Sequence, residues 1–142
     1  MKYPIGIQSF EKLVTENFCY VDKTDLLYQL THDGTIYFLS RPRRFGKSLL
    51  VSTLKNYFLG RKELFKGLAI EKLETEWKEY PVFHIDFNGS NFTVLGTLEK
   101  KLEGYIVGWE AQYGKSTYLT DVGDRFAYVL KQAHEQSGRR CV

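Results

Sequence analysis

One octapeptide, Arg41-Pro42-Arg43-Arg44-Phe45-Gly46-Lys47-Ser48, limits what this chain can fold into more than any other segment. It follows Thr35 to Ser40 (TIYFLS), an apolar, aromatic and β-branched run that predicts a buried strand. Beyond it, Leu50, Leu54, Tyr57 and Phe58 recur at helical spacing between Lys47 and Leu59, and Gly60 is placed to end the helix. Strand, loop and helix in that order form the setting that the pattern G-x-x-x-x-G-K-[ST] needs in order to cradle phosphates. Successive backbone N–H groups at a helix N-terminus offer a polyanion a concave donor site. Gly46 removes the Cβ that would keep the backbone away from the phosphates. Lys47 supplies a compact charge for the β and γ phosphates, and the Ser48 hydroxyl can ligate Mg²⁺. The expected nucleotide-binding set is Arg43, Arg44, Phe45, Gly46, Lys47, Ser48 and Leu49, with Ser48 also on the metal, and ATP with Mg²⁺ as the ligand. Arg41 occupies the first glycine's place and Pro42 has no N–H. The front of the loop is therefore built differently, with Arg43 or Arg44 near the phosphates. An ordinary basic helix cap is the competing reading, because Gly-Lys-Ser alone is common.

The flanking sequence supplies further elements. Ser9 can cap a short helix through Phe10, Leu13 and Val14. A helical stretch with Leu26, Leu27 and Leu30 follows Tyr20-Val21-Asp22-Lys23-Thr24 and stops at His32-Asp33-Gly34. Arg61 to Tyr80 is charged and mixed, and predicts a short helix and a surface connection. Pro81 opens a second expected strand, Val82 to Phe87, ended by Asn88-Gly89. Leu95, Leu98, Leu102, Tyr105, Ile106 and Trp109 mark an amphipathic helix up to Gly114. A last helix after Asp121 turns Phe126, Val129, Leu130 and Ala133 inward and ends at Gly138. Alternating strand and helix predict an α/β fold with a mostly parallel sheet and crossover helices.

Composition excludes several classes. A hydrophobic share of 43%, with ten Tyr and ten Phe, can fill a core, which argues against disorder. Cys19 and Cys141 are the only cysteines, so neither a zinc spacing nor a disulfide framework is available. No apolar run approaches a membrane span, and the first residues have no signal-like core. These features predict a cytoplasmic protein with no membrane partner. The net charge of +3 names no partner by itself.

The segments 20–24 (YVDKT), 37–50 (YFLSRPRRFGKSLL), 53–58 (TLKNYF), 64–68 (LFKGL) and 80–87 (YPVFHIDF) resemble a bacterial family of predicted AAA-like ATPases, often joined to a C-terminal PD-(D/E)XK-type nuclease domain. In that family arginine at the first glycine's position is part of the pattern. The resemblance implies a three-layer P-loop fold of which residues 1–142 are the N-terminal portion of one domain, ending before the strand that carries an acidic pair. It implies ATP binding, Mg²⁺-dependent hydrolysis in the complete protein, and nucleic acid as a partner through a missing C-terminal domain. Asp22 and Lys23 would border the nucleotide, or Asp22 would simply cap a helix. Asp86 would reach the metal shell, or hold a loop backbone. His84 reads as a core histidine rather than a catalyst. No catalytic acid or arginine is assignable. A small-molecule kinase shares such a loop but needs an acceptor pocket, and a nucleic-acid-binding module would show steep salt dependence. An unpaired sheet edge in an incomplete domain predicts either pairing with a second copy, hence a homo-oligomer, or only marginal stability.

Overall fold

The computed structural model describes residues 2–142. Their contacts gather into two compact units, Met1–Glu79 and Tyr80–Val142.

In the first unit, α1 (Phe10–Thr15) starts where the Ser9 side chain accepts from the Lys12 N–H at 3.3 Å. Helices α2 (Thr24–Asp33) and α3 (Lys47–Phe58) follow, then a 3-10 turn (Lys62–Phe65) and the single-turn α4 (Ile70–Leu73). Phe10, Leu27, Tyr57, Leu64, Phe65 and Ile70 form the core. The Phe65 ring lies 4.8 Å from Phe10 and 5.2 Å from Trp77 between centroids. Gly60 takes φ 67 just after α3, and a Cβ there would meet the Trp77 carbonyl at 3.1 Å. That position demands glycine on both counts. The stretch after Arg61, expected as a short helix and a surface connection, also delivers Leu64, Phe65 and Ile70 to the core. Its apolar residues are too few and too interspersed with charge to show a stripe.

In the second unit, α5 (Thr97–Tyr113) packs on α6 (Val122–Ser137). The Asp121 carboxylate caps α6, accepting from the Gly123 and Asp124 N–H groups at 2.8 and 3.2 Å. Gly138, at φ 67, terminates it. Trp109 stacks against Tyr105 and Phe126, each at 5.5 Å. Val129 and Ala133 are fully buried beside them. Arg125 is buried too, and it forks onto Glu110 through Nε and Nη2 at 2.8 and 2.7 Å. Its Nη1 donates to Glu103 at 2.6 Å. The Arg125 hydrogen bonds hold the Glu110 carboxyl below its ordinary value of 4.5 against the opposing effect of burial.

The expected α/β fold with a mostly parallel sheet is corrected by this architecture. Among the described residues no strand and no sheet forms. The pairing among them is limited to an isolated parallel bridge, Lys2 with Phe18, and to two backbone hydrogen bonds, one from the Val142 N–H to the Pro81 carbonyl and one from the Phe83 N–H to the Val142 carbonyl. Residues 35–40 are irregular, with Ile36 92% and Phe38 94% exposed. Residues 82–87 are irregular as well. A strand is stable only beside a partner that takes up its N–H and C=O groups. An apolar, β-branched run signals an affinity for such a partner and cannot supply one.

Two outcomes follow. Phe65→Ala should destabilise the first unit by about 3–5 kcal/mol, the usual range for emptying a fully buried phenylalanine site, as read by urea unfolding. Because the Glu110 carboxyl is depressed when folded, its stabilising effect is present above 4.5 and lost as pH falls through the lower folded value. Glu110→Gln should therefore weaken the protein at neutral pH and flatten the acid limb of its pH–stability curve. An unchanged acid limb would show that the Arg125 fork contributes nothing.

Candidate functional site

The basic loop sits where α3 leaves the core of the first unit. Thr53, Asn56 and Tyr57 on α3 are buried. The Thr53 hydroxyl donates back to the Leu49 carbonyl at 2.8 Å, and the Ser52 hydroxyl accepts from the Phe10 N–H at 2.9 Å, tying α3 to the start of α1. The C-terminal half of α3 is thereby fixed, and its N-terminal end projects into solvent with the loop.

Helix α3 begins at Lys47, as the glycine spacing predicts. Gly46 precedes it with φ 75 and ψ 14, a left-handed conformation that side chains resist. No side chain caps this end and no acidic residue lies in its first turn. The amides of the first turn thus keep their donor capacity, and the helix dipole adds a partial positive charge. Arg44 also lies in the left-handed region, at φ 65. For a residue with a Cβ this costs about 1–2 kcal/mol. The Lys47 ammonium folds back over the loop and donates to the carbonyls of Arg41 and Pro42 at 2.5 and 2.8 Å. Phe45 is 62% exposed at the turn, and Ser48 is exposed on the first turn of α3.

The charge here is one-sided. No Asp or Glu occurs between Asp33 and Glu63, whereas Arg41, Arg43, Arg44, Lys47, Lys55, Arg61 and Lys62 all do. Arg61 is tied to Glu11 at 3.0 Å. Among the described residues no carboxylate lies within ion-pair distance of Arg41, Arg43, Arg44 or Lys47.

Residues 43–49 are therefore gathered in one place by the loop and the first turn of α3. Asp22 and Lys23 belong to the same unit. The Asp22 Oδ1 accepts from the Thr24 N–H at 2.9 Å and from its hydroxyl at 2.7 Å, while Oδ2 accepts from the Ala69 N–H at 2.7 Å. Burial alone would raise its pKa, but these donors outweigh it and hold the carboxyl below its ordinary value. Thr24, fully buried, accepts in turn from the Ile70 N–H at 3.0 Å. This clamp between the start of α2 and α4 was missed from sequence. Its trace is the Asp-x-Thr spacing ahead of an apolar helical stripe. Lys23 is exposed between the two clamp residues.

Asp86 lies in the second unit. Its carboxylate accepts from the Asn88 N–H at 2.8 Å, and its backbone N–H and C=O both bond to the Tyr105 hydroxyl at 3.0 and 2.9 Å. It thus holds a loop backbone. His84 is half-buried in the same stretch. Among the described residues no group of three or more His, Cys, Asp or Glu side chains could hold a metal ion, and no helix is long and apolar enough to cross a membrane.

Comparison with known proteins gives the loop a context. The sequence matches the family described as Predicted AAA-ATPase over residues 4–142. It is 39% identical over 142 residues to a protein of Azotobacter chroococcum mcd 1, described as an uncharacterized protein in the vnfD 5'region. The match takes in 99% of this chain and 28% of that relative, so the chain spans a little over a quarter of its length. No solved structure matches. With nearly its whole length covered by the family pattern, the chain belongs to the family of predicted AAA-ATPases.

Proposed function

We propose that this chain binds ATP with Mg²⁺ in the loop formed by Arg43, Arg44, Phe45, Gly46, Lys47, Ser48 and Leu49. The observation that carries the reading is the junction at Gly46 and Lys47. A left-handed glycine feeds an uncapped, acid-free helix start directly behind Arg41, Arg43 and Arg44, which have no carboxylate within ion-pair distance among the described residues. The amides of the first turn would donate to phosphate oxygens, and Lys47 would move from the Arg41 and Pro42 carbonyls toward the β and γ phosphates. Membership in a family described as predicted AAA-ATPases supports a nucleotide over other polyanions.

Mg²⁺ fits this site on modest terms. The ion binds phosphates and keeps several waters, so one hydroxyl from the protein, that of Ser48, is an adequate ligand. When bound, it would neutralise charge between the β and γ phosphates. Asp22, with both carboxylate oxygens engaged in the clamp, is better assigned to holding α2 and α4 than to the metal. Hydrolysis belongs to the longer protein that the relative's length suggests. It requires an acid to orient water and an arginine on the γ-phosphate, and this chain carries neither in an assignable place.

Calorimetric titration with Mg²⁺-ATP tests the proposal. Lys47→Ala should abolish measurable binding, because no other ammonium sits in the loop. Arg61→Ala, whose guanidinium is paired with Glu11, should bind as the wild type does. Equal affinity for wild type and Lys47→Ala would sink the assignment.

A further inference from the structure

We propose that two copies of this chain pair through the second unit, with Leu95 of each copy entering an apolar hollow of the other. The hollow lies where the stretch 82–87, α5 and the start of α6 meet. Ile85, Leu102, Ile106, Trp109, Val122 and Phe126 are among its walls, no polar surface lines it, and its volume is about 130 Å³. Small-molecule sites run to about 300–1,000 Å³ and carry a few polar groups that fix the ligand. This hollow is too small and too uniformly apolar for that role. It suits a single hydrocarbon side chain instead, since an apolar cavity of about 150 Å³ takes a benzene-sized group.

The same unit supplies the side chain. Leu95 is 100% exposed, although leaving water is the main gain open to a leucine. Its loop is tightly built. The Asn91 Oδ1 accepts from the Thr93 N–H at 3.1 Å and from its hydroxyl at 2.6 Å, and the Val94 N–H donates to the Asn91 carbonyl at 3.3 Å. The Phe92 ring lies 5.7 Å from that of Phe87. Leu95 is thus presented on an ordered turn, which lowers the entropy that docking costs. Phe87, Phe92, Val94 and Leu98, close to it in sequence, are exposed as well.

A second copy is the occupant these features fit. A patch that faces its own image meets the charges it carries, and like charges brought together are costly. No charged residue occurs between Asp86 and Glu99, so nothing in this segment opposes self-pairing. Leu98 stands one turn before Leu102 on α5, so the apolar stripe leads from the hollow toward the loop. A surface that carries both a knob and a hole of matching size is self-complementary, and a two-fold axis satisfies both contacts at once. No sheet edge takes part, and all these residues belong to the second unit, so the inference is independent of the nucleotide reading.

Sedimentation equilibrium of the full chain, run up to about 1 mM, reads the pairing, with the melting temperature of each variant as a check on folding. Wild type should approach twice its monomer mass. Leu95→Asp, at a site exposed in the single chain, should stay folded and weaken pairing at least about a hundredfold, the scale of two buried leucines. Val122→Phe, which fills the hollow, should weaken it too. A mixture of the two variants should pair better than either alone, because one intact knob then meets one intact hole. A wild type that stays monomeric overturns the inference, and so does pairing that survives Leu95→Asp or Val122→Phe. If monomeric wild type instead binds toluene saturably, with NMR shifts at Trp109, the hollow is a small-molecule site and the inference falls.

Discussion

The first unit depends on the burial of one face of α3. Tyr57 lies 6.4 Å from Phe65 and 5.9 Å from Trp77 between ring centroids, and its hydroxyl donates to Glu74 at 2.5 Å. That last contact ties the end of α3 to the residue that closes α4. Phe10, through its N–H on Ser52 and its ring on Phe65, ties the same helix to α1. Each fully buried large side chain in such a cluster contributes about 1.5–3 kcal/mol by leaving water. A loop that must hold several like charges in a small space needs a rigid support, and this packed helix provides it.

Where a signal in the sequence was local, it carried through to the structure. Ser9 and Asp121 cap the helices they precede, and Gly138 stops α6, because cap chemistry is settled within a few residues. The stripe over α5 and α6 is likewise a property of consecutive residues, although Leu95 lies ahead of α5 and is fully exposed. The start of α3 at Lys47 was legible for the same reason. The strands were not legible, because pairing is a relation between distant segments. Thr35 to Ser40 and Val82 to Phe87 have the composition of strands, but their backbones find no ladder among the described residues.

The site divides along the same line. Residues 43–49 are contiguous, so their gathering at a helix start could be anticipated from spacing alone. The Asp22–Thr24 clamp onto Ala69 and Ile70 bridges more than forty residues of sequence. Only the Asx-type turn within it left a local mark, so the partner across the fold stayed hidden. The Arg125–Glu110 fork of the second unit was hidden too, for a charge on a helix reads as solvated until its neighbours are known.

The bareness of Ile36 and Phe38 has a consequence beyond the site. An uncharged, β-prone hexapeptide without proline or glycine is the kind of segment that nucleates stacking between copies when left in water. Immediately downstream stand Arg41, Arg43 and Arg44. Charges flanking such a run act as gatekeepers, since bringing two copies into register would crowd their guanidinium groups together. Their mutual repulsion opposes such stacking. A polyanion that neutralised the three side chains would loosen this restraint at the moment it bound.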